Sequence, residues 1–203
     1  LSMVLEGDVG EVSDQQKEML NTAYTSAQRM VYLIADLLNV SRLQTGKFVI
    51  EPVDCYLPDV ISEELKQLKE AVEAKKITVK YDKPESFPVM KLDDTKIRQV
   101  IMNFSDNALY YTPAGGEVTI QLIEKPRSVE FTVTDNGIGV PKAEQHKLFA
   151  KFYRAGNARK ARPDGTGLGL FMAKKVIVAS GGAIIFKSRE GKGSTFGFTF
   201  PKN

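Results

Sequence analysis

Asp135-Asn-Gly-Ile-Gly-Val-Pro141 and Gly165-Thr-Gly-Leu-Gly-Leu170 are the segments of this chain whose residue types best suit ligand chemistry. A glycine has no Cβ and takes positive φ freely, so the backbone at such a position comes close to a ligand. Successive bare N–H groups make a concave site for anions. The stretch between the two segments carries Lys151, Arg154, Arg159, Lys160 and Arg162. Clustered cations of this kind suit a polyphosphate. The arrangement reads as a nucleotide pocket with a mobile basic lid.

Gly165-x-Gly167-x-Gly169 has the spacing of a dinucleotide-binding turn, but that turn needs a strand directly before it. Here Asn157 to Asp164 is polar and basic, contains a proline, and reads as loop. Leu168 to Ala179 has helical spacing at Leu168, Phe171, Met172, Val176 and Ala179. The glycines therefore open a helix whose N-terminus can face phosphate. A glycine-rich turn with no ligand is the plainer reading of this segment alone. Upstream, Val100, Ile101, Phe104, Ala108 and Leu109 form the apolar stripe of another helix. Asn103 and Asn107 are four apart and share a face of it. An amide oxygen suits Mg²⁺, which takes few protein ligands and completes its shell with phosphate and water. A solvated face, or amides at a helix end, would explain the same pair without a metal.

In this order and at this spacing the segments resemble the cytoplasmic core of a bacterial sensor histidine kinase. Asn103–Pro113 is similar to that family's N box, Asp135–Gly139 to its first glycine box, and Phe149–Arg154 to its F box. Gly165–Leu170 is similar to the second glycine box, and Gly193-Ser-Thr195-Phe to the closing strand. The resemblance implies ATP and Mg²⁺. It implies that Asn107 coordinates the metal with Asn103 close to it, and that Asp135 accepts the adenine amino group. Gly137 and Gly139 would let the backbone approach the base, and Tyr111 would lie against the ring. Gly165, Thr166, Gly167, Leu168 and Gly169 would offer backbone N–H groups to the phosphates, and Arg154 would reach the phosphate tail. Thr195 would place a hydroxyl near the adenine edge, while Phe149 and Phe152 anchor the lid by burial. Tyr110 stands where the family usually has a phosphate-contacting Lys, so phosphate affinity or orientation is expected to change, with Arg154 or a lid cation substituting.

The family's phosphoacceptor is a His on the first hairpin helix. The only His here is His146, in surroundings unlike that motif, and it is expected to be a surface or lid-packing residue. The acceptor, and the acid that assists it, are expected before Leu1. This chain is thus expected to bind Mg²⁺–ATP without phosphorylating itself.

The elements that must hold these groups are partly legible. Ser13-Asp-Gln-Gln16 has the form of a capping box. Leu20, Ala23, Ala27, Met30, Ile34 and Leu37 follow as a heptad-like seam, and Gly46 is a natural stop. A long helix over 14–45 is expected, with residues 1–7 ending an earlier helix and Asp8–Val12 forming the turn. Residues 1–46 thus read as a helical hairpin with its first helix truncated, which by resemblance pairs with its copy in a homodimeric four-helix bundle. A response-regulator receiver domain is the other partner implied.

Residues 47–203 read as the ATP-binding domain. Helices are expected over Asp59–Ala74, Asp94–Tyr110 and Leu168–Ser180, and strands over Ile77–Tyr81, Val89–Leu92, Glu117–Ile123, Ser128–Asp135, Ala183–Lys187 and Ser194–Phe200. This is an α+β two-layer sandwich, by resemblance the fold of gyrase, heat-shock chaperone and mismatch-repair ATPases, preceded by an antiparallel helical hairpin. The net charge of +3 gives no case for nucleic acid, and no apolar run approaches a membrane span. No signal peptide is read at Leu1. The single Cys55 excludes an internal disulfide, suits a reducing compartment, and is expected to be a small buried apolar residue. By resemblance the chain is the cytoplasmic portion of a membrane-bound sensor, attached only through other regions. It would serve transfer of the ATP γ-phosphoryl to a His and on to a regulator Asp. Two other readings stand beside it. A GHKL-type ATPase is disfavoured by the hairpin and by the lack of an acid at Asn103. A degenerate nucleotide- or partner-binding module has Tyr110 as its support.

Overall fold

The computed structural model describes residues 2–5, 10, 12–163 and 165–202. The chain falls into two compact units, Leu1–Phe48 and Val49–Asn203. The first holds a short helix α1 (Ser2–Leu5) and a long helix α2 (Asp14–Gln44). Ser13 starts α2 with a reciprocal capping box: its Oγ accepts from the Gln16 backbone N–H at 3.3 Å, and Gln16 Oε1 accepts from the Ser13 N–H at 2.9 Å. Gly46, at φ +68°, follows the last turn. On α2, Met30, Ile34 and Leu37 of the apolar seam are more than half exposed. The turn expected over Asp8–Val12 lies largely outside the described residues.

The second unit runs β1 (Val53–Cys55), α3 (Leu57–Gln67), α4 (Lys69–Lys75), β2 (Thr78–Tyr81), β3 (Met90–Leu92), α5 (Asp94–Tyr111), β4 (Glu117–Glu124) and β5 (Ser128–Asp135). It continues through α6 (Gly156–Ala161), α7 (Gly169–Ala179), β6 (Ala183–Arg189) and β7 (Gly193–Pro201). The main sheet has the order β2-β4-β5-β7-β6. Only the β2–β4 pair is parallel. Helices α5 and α7 lie side by side against the sheet, and α3 packs on α5. The α+β sandwich expected from the sequence is therefore the observed fold.

Alternating apolar residues make this core. The β5–β7 register sets Val129 opposite Phe200, Phe131 opposite Phe198 and Val133 opposite Phe196. A slip of one residue would turn each set to the wrong face. From α5, Ile97, Ile101 and Phe104 bury themselves almost completely, and Phe104 stacks on Phe196 with ring centroids 5.9 Å apart. Cys55 is buried, as a small apolar residue would be.

Four local features depart from the sequence reading. The expected strand over Val89–Leu92 is not in the main sheet: β3 pairs antiparallel with β1, a three-residue strand too short to show periodicity. The expected helix over Asp59–Ala74 is two helices. At Leu68 the N–H bonds the Leu65 carbonyl at 3.2 Å, a tighter three-residue turn, while its side chain turns into the core. Asn157–Asp164 is not all loop, because Gly156–Ala161 is helical; Ala155 anchors its start by burial, and its carbonyl accepts from the Arg159 N–H. Asp164 itself lies outside the described residues. A 3-10 turn, Lys142–Lys147, precedes the F-box segment.

Candidate nucleotide site

Helix α5 is capped by Asp93, whose Oδ1 accepts from the Lys96 N–H at 3.1 Å. Burial of its apolar stripe turns Asn103, Asn107, Tyr110 and Tyr111 to the other side. There the Asn107 amide nitrogen donates to Asn103 Oδ1 at 3.3 Å. The start of α7 abuts this pair. A Cβ on Gly169 would lie 2.4 Å from Asn103 Oδ1, so any side chain there would push the Asn103 amide aside.

Asp135 closes β5 and is 7% exposed. Its Oδ1 accepts from the Gly137 N–H at 2.8 Å and the Ser194 N–H at 3.3 Å. Burial raises its carboxyl above the ordinary carboxylate value, and the two N–H groups work against that rise. The segment after it is held by the end of α5, since the Tyr111 carbonyl accepts from the Ile138 N–H at 3.2 Å. Gly139, at φ +62°, runs against the β6–β7 hairpin, where a Cβ would lie 2.1 Å from the Arg189 carbonyl oxygen. Close protein packing therefore demands this glycine, whatever the ligand. Thr195 sits opposite Thr134 on β7, their hydroxyls 3.0 Å apart, one residue from the Ser194 N–H that serves Asp135.

The basic segment has its own scaffold. Glu144 accepts from the Tyr153 hydroxyl at 2.7 Å and from the Gly156 N–H at 2.9 Å, and these bonds hold its carboxyl below the usual range. Leu148 is buried, and Phe149 meets Phe186 edge-on at 5.8 Å. Phe152 is not an anchor by burial: it is 57% exposed. Its backbone takes φ +63°, and its N–H donates to the Gly167 carbonyl at 3.0 Å. Arg154 is committed inside the lid, donating to the carbonyls of Ala158, Arg162, Pro163 and Gly165. The guanidinium fans its donors over four peptide oxygens. Gly165 packs against that guanidinium. Thr166 Oγ1 accepts from the Leu168 N–H at 3.1 Å, and Leu168 itself is buried at the cap of α7.

Tyr110 joins α5 to the lid. Its hydroxyl donates to the Ala161 carbonyl at 3.3 Å, and the Arg162 guanidinium lies 4.4 Å over its ring. Arg162 Nη1 also donates to Asp106 Oδ2 at 2.9 Å. Lys75 Nζ sits 4.9 Å from the same ring and donates to the carbonyls of Leu109 and Tyr110 at 3.0 and 2.6 Å. Burial lowers the Lys75 pKa, Asp106 works against that fall, and the nearby Arg162 adds to it. Lys75 and Asp106 carry no motif, and sequence reasoning passed over both. The Tyr at position 110 was the one feature of the sequence that drew attention to this place. Replacing Arg162 by Ala is expected to speed amide exchange in α6 about threefold to tenfold, since one partly exposed ion pair and one ring contact are worth roughly 1 kcal/mol together. Unchanged exchange at Arg159 and Ala161 would contradict this latch.

His146 is exposed on its 3-10 turn. Among the described residues no group of three or more His, Cys, Asp or Glu side chains could hold a metal, and no helix is long and apolar enough to cross a membrane.

A twisted sheet carrying a buried Asp at the end of β5, paired amides on α5 and a glycine-opened α7 defines a nucleotide-binding ATPase fold. Residues 92–203 match the family described as histidine kinase-, DNA gyrase B-, and HSP90-like ATPase, and the chain belongs to that family. Within it the chain is similar to the adaptive-response sensory kinase SasA of Synechococcus sp. (strain JA-3-3Ab), at 33% identity over 187 residues, which cover 92% of this chain and 49% of SasA. The chain thus spans about half the length of that relative. Full-length ShkA in complex with AMPPNP shares the fold at a TM-score of 0.77 and 23% identity, over 99% of this chain and 42% of ShkA. Histidine kinase ThkA in complex with response regulator protein TrrA does so at a TM-score of 0.71 and 23% identity, over 99% of this chain and 57% of ThkA.

Proposed function

We propose that this chain is the ATP-binding core of a sensor histidine kinase, which moves the γ-phosphoryl of ATP to a His nitrogen for relay to an Asp of a response regulator. Asp135 carries the reading. It is a buried carboxylate with one oxygen fixed by two backbone donors, which leaves Oδ2 to accept from the adenine amino group. Gly137 and Gly139 set the turn beside it, and Tyr111 and Thr195 flank it. Across the site Asn103 and Asn107 offer neutral amides. Neutral amides suit Mg²⁺ that arrives with phosphate and keeps most of its water. Bound there, the metal would neutralise phosphate charge, and the chain's own part is positioning. The segment Gly165, Thr166, Gly167, Leu168 and Gly169 faces the phosphates ahead of the α7 N-terminus. Arg154 acts through the lid backbone it holds, and Tyr110 brings Arg162 and Lys75 to the phosphate side in place of a single Lys. A hydrolytic ATPase is less well supported, because Asn103 stands where a water-activating acid would be needed.

Residues 1–46 serve as part of a dimerisation and phosphotransfer hairpin, with residues 47–203 as the catalytic domain. The exposed Met30, Ile34 and Leu37 support pairing of α2 with a second copy, and the same hairpin would receive the response regulator. The chain would lie on the cytoplasmic side of a membrane-bound sensor, whose span and phosphoacceptor belong to regions outside it. Calorimetric titration with Mg²⁺–ATP tests the pocket: Asn107→Ala is expected to weaken binding about tenfold, the loss of one charge-assisted contact. Radiolabel from ATP should appear only on a chain extended N-terminally through an acceptor His. Acid-labile, base-stable phosphate on the 203-residue chain itself would overturn the assignment.

A further inference from the structure

The turn over residues 138–140, beside Asp135, is held by hydrogen bonds from several elements. The Gly191 N–H donates to the Ile138 carbonyl at 2.8 Å, and the Gln145 side chain donates to the Val140 carbonyl at 3.0 Å. The peptide that joins Gly139 to Val140 is held from both sides. Its N–H donates to Ser188 Oγ at 2.8 Å. Its carbonyl accepts from the Asn157 side chain at 2.8 Å. Ser188 lies on β6, in the β6–β7 hairpin, whereas Asn157 stands at the start of α6, in the basic lid. One peptide plane thus joins the hairpin to the lid.

The same peptide opens a hydrogen-bonded route to the base site. Ser188 Oγ lies 2.9 Å from Ser194 Oγ, and the Ser194 N–H donates to Asp135 Oδ1 at 3.3 Å. Bonds in such a chain polarise and strengthen one another. The Asn157 amide has its orientation set by its neighbours. Its Oδ1 accepts from the Ala158 N–H at 2.8 Å, and the Gly139 carbonyl can only accept, so the NH₂ group faces Gly139. At its far end the lid is tied to α5 through Tyr110 and Arg162. The lid therefore has a base end and an α5 end, and Asn157 forms the base end.

We propose that Asn157 is a positioning residue for the base: it fixes the peptide after Gly139, so that adenine binding and the anchoring of α6 favour each other without any phosphate. The proposal rests on Asp135 as the acceptor of the adenine amino group. Gly139 sits at φ +62°, and a glycine released from such a bond has many other conformations open to it. Asn157 is only partly buried, so its substitution leaves the core untouched. The coupling is reciprocal: what the bond adds to adenine affinity, adenine adds to the bond.

Adenosine is the probe, because it carries the base and offers the lid cations no phosphate. The full 203-residue chain is titrated and followed by NMR shifts, and amide exchange is read at Arg159, whose N–H bonds the Ala155 carbonyl. Asn157→Asp is the decisive variant. A carboxylate keeps the bond to the Ala158 N–H and suits a helix start, but it cannot donate to Gly139. It should weaken adenosine binding about threefold to tenfold, the worth of one hydrogen bond, and so should Asn157→Ala. Adenosine should slow exchange at Arg159 in the native chain and leave it unchanged in both variants, with melting temperatures confirming that each is folded. Native adenosine affinity in Asn157→Asp would overturn the proposal and reduce Asn157 to a helix cap. So would a slowing at Arg159 that survives the substitution. Asp135→Asn separates these results from failure of the site itself. Adenosine affinity that this variant leaves unaltered would bring down the base contact, and the proposal with it.

Discussion

Asp135→Asn is expected to weaken Mg²⁺–ATP binding about tenfold to a hundredfold, the cost of a mispaired buried polar contact of roughly 1–3 kcal/mol. In the present structure Oδ1 is fixed by the Gly137 and Ser194 N–H groups. The Asn oxygen must take that position, because an amide nitrogen cannot accept from two donors. The amide nitrogen then occupies the place of Oδ2 and presents a donor to the donor amine of adenine. The fold should not suffer. Burial raises the Asp135 carboxyl in the folded state, so the folded chain binds this proton more tightly than the unfolded one. Its contribution to stability is present at pH below the ordinary carboxylate value and is lost as pH rises through the raised one. At neutral pH the ionised carboxylate is a burden that the neutral Asn lacks, and the variant should melt at the same temperature or higher. Calorimetry and thermal melts at neutral pH decide the matter. Unaltered affinity in a folded variant would remove Asp135 from the proposed base contact.

Phe198→Ala is expected to destabilise the ATP-binding unit by about 3–5 kcal/mol, the usual range for emptying an aromatic core position. Phe198 is fully buried and has ring centroids 5.0 Å from both Phe131 and Phe200. Its strand pairs with both β5 and β6, so little can collapse into the void. Against a total of roughly 5–15 kcal/mol such a loss leaves the unit marginal. Phe152→Ala provides the contrast, with an expected change within about 0.5 kcal/mol because the ring is largely in solvent. Equilibrium urea unfolding of both variants measures the difference. A large loss at Phe152 would restore the view that it anchors the lid through burial.

The two phenylalanines also show where sequence reading ends. Phe198 stands in a strand whose apolar residues alternate, and alternation reports which face a strand buries. Phe152 stands in a segment similar to a known box, where likeness says that an aromatic ring belongs without saying which way it points. Its exposure goes with a backbone at φ +63° whose N–H bonds the Gly167 carbonyl, fifteen residues on. Arg154 is similar. Its charge suggested phosphate, and only the folded lid brings four carbonyls around its guanidinium.

By itself the sequence determined the long capped helix, the strand pattern of the main sheet, the order of the glycine segments and the pairing of Asn103 with Asn107. Each of these is a consequence of near neighbours: side-chain periodicity, a cap three residues away, a missing Cβ, one helical turn. Only the tertiary structure decided that Lys75 and Arg162 share the ring of Tyr110 and that Ser194 serves Asp135. Those contacts join residues 35 to 59 apart where they are hydrogen-bonded, such as Lys75 to Tyr110 and Ser194 to Asp135. Such pairs meet because the sheet and the helices close on a common core, and no local pattern along the chain records where that closure brings a given side chain.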